Sequence, residues 1–367
     1  MEIKKIQAIP VNIPLKRAYE TAEIGDMPTQ SVIVKIHTDE GIIGLGEGNP
    51  FYWYKEPYET IVTNIERYFS RALLGADPFD IEKITARMDE IIPDQPSSKS
   101  AVIIALYDIM GKALEVPVCK LIGGFINRNI PAAQGIPFGN PEEVADMALE
   151  WKEKGVKAFK IKIGRPGGQG FLDDLKAVKL IRDAVGPEIS LRVDANETYA
   201  YKVNVLRRME EYDLDLIEQP APRKDLARMR AITQALDTPV LADQSIFSVQ
   251  DAIEVIKNEA ADVLMVKNYV LGGFYRCKQL LGIIEATHKA NYLEGGVETG
   301  VGTAATLHLA ASTARVDYWG CLGGPLLLTD DLIKEPLRFE NGCWIVPDKP
   351  GLGVDLDEQR LKAMMIK

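Results

Sequence analysis

The chain has 367 residues, 46% of them hydrophobic and 26% charged, a composition that describes a folded protein with more than one core and an expected two domains. A formal net charge of −10, with no basic run and no interleaved aromatic strip, argues against a nucleic-acid partner. Cys119, Cys277, Cys321 and Cys343 lack CxxC spacing, which suggests neither a zinc site nor a disulfide framework, and no stretch approaches the length of a membrane span.

The N-terminus, MEIKKIQAIPVNIPL, alternates like a strand and lacks the apolar core of a signal peptide, so a cytoplasmic protein with reduced thiols is expected. SVIVKIHTDEGIIGLGEG follows, with a hairpin turn at Asp39-Glu40-Gly41. Between the two, Arg17 to Gln30 has little periodicity and reads as a loop. From Tyr58 to about Glu115 the pattern is helical, with small residues in SAVIIALYDIMGKAL that suit close helix packing. Strands followed by helices make an α+β module over residues 1–125.

Around Pro131 the rhythm changes to alternating strand and helix. IPAAQGIPFG reads as the first strand of a barrel. NPEEVADMALEWKEKG reads as its helix, with Asn140 as N-cap, Pro141 at the first position and Gly155 at the end. Five short apolar runs then end at Lys162, Asp194, Glu218, Asp243 and Lys267. Their spacings are 194−162 = 32, 218−194 = 24, 243−218 = 25 and 267−243 = 24 residues. About 25 residues fit one strand, one loop and one helix, and unbroken apolar runs suit parallel strands covered on both faces. An α/β barrel over residues 126–316 is expected, its seventh strand ending near Gly295 to Glu298. Residues 317–367, Pro- and Gly-rich, are expected to complete the barrel and pack back on the N-terminal module.

In such a barrel the C-terminal strand ends form the mouth where chemistry sits. Asp194, Glu218 and Asp243 come from three adjacent strands, and carboxylates that crowd together need a cation. Oxygen ligands on rigid strands suit Mg²⁺, or Mn²⁺, better than Zn²⁺. Lys160 and Lys162, two apart on one strand, share a face. Side by side they are expected to lower each other's pKa, which makes one of them a general base. Lys267, four strands on, approaches the same cavity from the opposite side. Bases on two faces of one carbon beside a metal suggest removal of a proton α to a carboxylate through an enediolate.

KIK at Lys160 to Lys162, DAN at Asp194 to Asn196, EQP at Glu218 to Pro220, ADQS at Ala242 to Ser245 and KNYVLGG at Lys267 to Gly273 together resemble the enolase superfamily. The muconate lactonizing (muconate cycloisomerase) subgroup fits best, helped by VETGVGTAA, GPLLLTDDLIKEP and PGLGVDLDEQRL. The resemblance implies a modified TIM barrel, (β/α)₇β, under an α+β cap built from the N-terminal region and the C-terminal tail. It implies Asp194, Glu218 and Asp243 as metal ligands, Lys162 as one base with Lys160 as its companion, and Lys267 as the opposing acid/base. A small carboxylate substrate and a homo-oligomer are implied as well.

The chain also departs from its subgroup. Gln244 stands where the family usually carries Glu. Gly320-Cys321-Leu322-Gly323-Gly324 holds neither the Glu of the muconate enzymes nor the Asp-x-Asp of the dipeptide epimerases. No histidine ends strand seven; His288 reads as a half-buried helix residue and His308 as a helix-face residue. Glu298 is either a residue of the mouth that contacts Lys267 or substrate, or a cap of the following helix. Asn196 and Trp53, the latter in the cluster Phe51-Tyr52-Trp53-Tyr54, are further candidates for substrate contact. The expected activity is a racemase, epimerase or cycloisomerase; a dehydratase using the same enediolate is the alternative, and a non-catalytic enolase-like binding or scaffold protein is the competing class.

Overall fold

The computed structural model describes residues 1–22, 29–50, 56–165 and 170–366. Strands β1 (Ile3–Asn12), β2 (Gln30–Thr38) and β3 (Ile43–Gly48) form an antiparallel sheet, with the expected turn at residues 39–42 joining β2 to β3. Its inner face carries Val32, Val34 and Ile36, which pack with Ile61, Ile65 and Phe69 and with the 18-residue helix Pro96–Ala113. The small residues of that helix have a direct consequence. A Cβ on Gly44 or Gly46 would lie 2.2 and 1.9 Å from helix carbonyl oxygens, so β3 and the helix touch backbone to backbone.

After β4 (Asn129–Pro131), eight parallel strands run in chain order around a barrel. They are β5 (Gln134–Ile136), β6 (Ala158–Lys162), β7 (Ser190–Asp194), β8 (Leu214–Glu218), β9 (Val240–Ala242), β10 (Val263–Val266), β11 (Ala290–Leu293) and β12 (Tyr318–Trp319). The last strand is only two residues long, and Ala133 N–H donating to Gly320 O at 3.0 Å joins it to the first. The helix after β5, Pro141–Glu153, begins as its sequence requires: Asn140 Oδ1 accepts from Glu142 N–H at 2.9 Å, and Gly155 follows with φ +89°.

Residue parity on the strands sorts the core. Phe159, Ile161, Leu191, Val193, Ile217, Val240, Leu264 and Val266 face outward into the helices, in the larger hydrophobic cluster. Leu216, Leu241, Val263, Met265 and Tyr292 face inward and fill the barrel. Two residues beyond Leu216, Leu241, Met265 and Tyr292, strands β8 to β11 deliver Glu218, Asp243, Lys267 and Glu294 to the mouth.

The C-terminal segment does three jobs. Its first residues make β12. Then β13 (Phe339–Glu340) and β14 (Cys343–Ile345) pair, and β14 pairs with β4 beneath the barrel. Finally the helix Glu358–Met364 returns to the cap, where Ile366 N–H donates to Pro10 O at 2.9 Å and Lys35 pairs with Glu358 at 2.6 Å. The tail thus contacts the cap through this helix.

Two buried carboxylates tie the cap to the rest of the chain, Asp108 to the C-terminal segment and Glu47 to the barrel. Asp108 accepts from Leu45 N–H at 2.8 Å, Leu352 N–H at 2.7 Å and Lys112 at 2.6 Å. Glu47, at the end of β3, accepts from Ser31 Oγ, Thr299 N–H, Thr299 Oγ1 and Gly302 N–H at 2.6 to 2.9 Å. The last three belong to the N-terminus of the helix Gly300–Ala311, whose free N–H groups and dipole favour an anion. Glu47→Ala leaves those buried donors unsatisfied and is expected to cost about 2–4 kcal/mol of stability. Chemical denaturation followed by circular dichroism measures it, and an unchanged midpoint would show that the junction is held by other contacts.

Candidate active site

The inward residues at the strand ends meet in one cavity of about 100 Å³. Parallel register sets Lys162 beside Asp194 and Asp194 beside Glu218. Asp243 and Lys267 lie one residue beyond β9 and β10. Strands β6 and β10 are four apart in an eight-stranded ring, so Lys162 and Lys267 stand on opposite walls.

Each charge has a partner of opposite sign. Lys162 Nζ donates to Asp194 Oδ2 and, at 3.2 Å, to Asn196 Oδ1. Lys160 Nζ lies 3.0 Å from Glu218 Oε2 and 2.6 Å from Glu294 Oε1, over the ring of Tyr292 at 5.5 Å. Lys267 Nζ reaches Asp243 Oδ1 and Glu294 Oε2, both at 2.9 Å. Glu294, one residue past β11, thus joins lysines from opposite sides of the mouth. It is buried, and its Oε1 also accepts from Cys321 N–H at 3.2 Å.

The electrostatics follow from burial and pairing. Burial pulls the Lys160 ammonium down, but the charges of Glu218 and Glu294 overcome it and hold it well above the usual lysine value. The expectation that Lys160 and Lys162 would lower each other is therefore overturned for Lys160. Its near neighbours are carboxylates, and it is a fixed positive charge rather than a base. Burial works against ionisation of Asp194 too, yet Lys162 and Lys160 bring its pKa below the ordinary value. Glu218 goes the other way: burial, and next the charge of Asp194, push its carboxyl well up against the pull of Lys160.

That crowding is the test of a metal site. Glu218 Oε2 is buried and receives no well-aligned hydrogen bond, and the Asp194 charge beside it disfavours ionisation. A donor set of three carboxylates without histidine or cysteine fits a hard divalent cation. As the side chains stand, each acid is turned toward a lysine. Among the described residues no three of them converge on a single point that would hold a metal ion.

The strand-end loops are strained where they leave the site. Asn196 and Gln219 adopt φ of +39° and +38°, unusual for side-chain-bearing residues. Gln219 repays this by tying two loops: its Oε1 accepts from Asp243 N–H at 2.9 Å and Ser245 N–H at 3.2 Å, and its Nε2 donates to Ser245 Oγ at 2.8 Å. Asn196 lines the cavity and orients Lys162.

Other expectations are corrected. Glu298 neither caps the following helix nor lines the cavity. Thr299 is the N-cap, and the Glu298 carboxyl turns behind the loop, accepting from Gly296 N–H at 3.3 Å and Thr306 Oγ1 at 3.4 Å. Position 298 is six residues past Tyr292, the last inward side chain of β11, and beyond the reach of strand parity; position 294 is two past it and within reach. His288 is not a half-buried helix residue. It lies exposed beyond the end of the helix Phe274–Ala286, with φ +56°. His308 is buried, between Cys119 N–H and Leu352 O. Trp53 and its aromatic neighbours lie outside the described residues.

The residues missed in the sequence are Glu294, Tyr19 and Gln134. NYLE is a sixth apolar run ending in a charge, 294−267 = 27 residues after Lys267, and carried the signal for Glu294. Tyr19 reaches in from the cap loop and fits only because residue 135 is glycine, where a Cβ would lie 2.0 Å from its hydroxyl. Beyond Tyr19, Gln134, Gly135 and Leu327, which line both spaces, a wider cleft of about 590 Å³ runs over Met147, Trp151 and Phe339.

Two family models match: "Mandelate racemase / muconate lactonizing enzyme, N-terminal domain" over residues 4–123, and "Enolase C-terminal domain-like" over residues 143–360. The N-succinyl-L-Arg/Lys racemase of Bacillus cereus is 32% identical, over 100% of this chain and 98% of its own. A muconate lactonizing enzyme from Pseudomonas fluorescens, solved with muconolactone, is 31% identical with a TM-score of 0.95, covering 100% of this chain and 99% of its own. The dipeptide epimerase of Enterococcus faecalis, solved with Mg and the dipeptide L-Leu-L-Tyr, is 31% identical with a TM-score of 0.90, over 96% of this chain and 99% of its own.

Burial, and then the charge of Glu47, raise the Glu298 carboxyl to about 8 from its usual 4.5. A carboxyl raised in the folded state contributes stability that is full below about pH 4.5 and is lost as the pH climbs toward 8. Glu298→Gln, which has no proton to lose, should therefore gain on the native chain over that window, by a few kcal/mol at the alkaline end. Melting temperatures of the two proteins from pH 5 to 9 check this; parallel curves would refute it.

Proposed function

The chain belongs to the enolase superfamily, in its muconate lactonizing enzyme subgroup, and from that premise we propose that it is a divalent-metal-dependent isomerase that abstracts a proton α to a carboxylate. The reaction class is racemization, epimerization or cycloisomerization of a small carboxylate, the activities named for the relatives above. The observation that carries the reading is the pair of lysines on opposite walls above three acids from adjacent strands.

Asp194, Glu218 and Asp243 are the residues that would hold the cation, Mg²⁺ or Mn²⁺. Such a cation supplies positive charge beside the substrate carboxylate, without which an α-proton is far too weakly acidic for an amine to remove. Lys162 takes the α-proton on one face at Nζ and leaves an enediolate. Lys267 delivers a proton on the other face, or receives one when the reaction runs from the opposite isomer. Lys160, fixed as an ammonium by Glu218 and Glu294, adds charge stabilisation to the developing oxyanion without exchanging its own proton. Asn196 holds Lys162 in its rotamer. Tyr19, Gln134 and Leu327 bound the space left for the rest of the substrate.

Mass spectrometry after incubation in D₂O with Mg²⁺ tests this on a panel of amino acids, N-acyl amino acids, dipeptides, hydroxy acids and muconolactones. One compound class is expected to gain a single deuterium, and chelation should abolish the gain until Mg²⁺ is restored. Lys162→Ala and Lys267→Ala are each expected to lower turnover by about 10²–10⁴-fold with the fold intact. Full activity in either variant would refute the two-base mechanism.

A further inference from the structure

We propose that Glu294 is a specificity-determining residue that sets the inner cavity for substrates with a single carboxylate and against compact dicarboxylates. The inference rests on the reading of the site as one that binds a carboxylate at its reacting end.

The cationic capacity of the inner cavity is confined to three lysines. Lys160, Lys162 and Lys267 are the positively charged side chains lining it among the described residues, and the lining away from them is neutral, with Gln134, Gln244, Tyr19, Thr21, Cys321 and Leu327. A second carboxylate close to the first has only these ammonium groups as partners of opposite charge; the other donors in the lining are neutral. Glu294 already occupies two of them, Lys160 at 2.6 Å and Lys267 at 2.9 Å, and is 3% exposed. In so buried a place an unpaired second carboxylate would lose its hydration without compensation and would be repelled by Glu294.

Formal charge points the same way. Whichever lysine serves as the free base, the Glu294 carboxylate, paired with Lys160 and Lys267, makes the mouth one unit more negative than it would be without it, so its loss leaves one more positive charge for a second substrate carboxylate. The position matters as much as the count. Glu294 approaches from β11 and accepts from Cys321 N–H, so it presents its charge to the eighth-strand segment, where residues 320–324 carry none. Cations do exist further out, at Lys16, Arg17 and Lys154 in the wider cleft, so a long substrate with a remote anion is not the class discriminated against.

The test uses two probes alike in shape that differ by one charge, N-acetyl-asparagine and N-acetyl-aspartate, titrated by calorimetry into the Mg²⁺-loaded protein. The native chain should bind the amide at least tenfold more tightly than the acid. Glu294→Gln should move that ratio at least tenfold toward the acid, and Glu294→Asp should keep the native preference. Circular dichroism establishes that both variants are folded; if Glu294→Gln is not, the native ratio and the Asp variant carry the test. Equal binding of the two probes by the native chain, an unmoved ratio in the Gln variant, or binding of neither probe would overturn the proposal. Calorimetry reads binding alone, so failure of every compound to exchange deuterium would sink the isomerase reading and leave this ratio measurable.

Discussion

Seven charged side chains buried at one end of a barrel hold together only as a network. Below them the barrel is filled by Leu216, Leu241, Val263, Met265 and Tyr292, an apolar floor that offers no hydration. Above them Tyr19 and Thr21 of the cap line the cavity. Each charge therefore depends on its neighbours of opposite sign, and removal of one leaves a partner uncompensated. The alternation of lysine and carboxylate around the ring spreads this burden: Lys162 to Asp194, Lys160 to Glu218 and Glu294, Lys267 to Asp243 and Glu294. The ring is short of positive charge: burial, and then the charge of Asp194, push the Glu218 carboxyl well up, and a cation held by the three strand-end acids, as proposed, would supply what is missing.

The cap is joined to the barrel and to the C-terminal segment by the same logic on a smaller scale. Glu47 and Asp108 are buried carboxylates whose oxygens are taken up by backbone N–H groups from a different part of the chain. Backbone donors are rigid, so such joints fix orientation where side-chain pairs would allow drift. Orientation is what the cap must supply, because Tyr19 enters the cavity from a cap loop while every charged group stands on the barrel. On the proposed mechanism, rigid strands hold the reacting groups and a loop shapes the space around them, a division of labour common to barrel enzymes.

Much of this was legible in the sequence because the side-chain period of a strand is two. Five apolar runs ending in charge at steps near 25 residues gave the barrel, the mouth and the six charged positions from Lys160 to Lys267. The same rule applied once more to NYLE yields Glu294, since Tyr292 faces inward and position 294 shares its face. Glu298, inside the VETG segment, lies four positions further along and outside that register. Local sequence could not reveal that the chain turns away from the mouth at Gly295 and Gly296. Nor could it give Tyr19, whose place depends on residue 135 having no side chain, a relation between elements 116 positions apart. The raised pKa of Lys160 is illegible locally for a similar reason: Lys160 and Lys162 are neighbours in sequence, but the carboxylate partners of Lys160 come from strands far along the chain.

A single barrel end can serve racemization and cycloisomerization because both begin with the same loss of a proton. The enediolate is planar at the α-carbon, so its fate is decided by what stands on each face and by what the β-carbon carries. With Lys267 opposite Lys162, return of a proton to the α-carbon inverts it. If the β-carbon carries an acyloxy group, loss of that group opens a ring with no further residue required. The strand ends therefore determine the first step and leave the second to the substrate. Discrimination between substrates falls to the groups that do not react: Tyr19, Gln134 and Leu327 at the passage to the wider cleft, and Glu294 across from them. Of these, Glu294 alone acts through charge, and charge within a buried ring of seven is the property that a substrate can least easily evade.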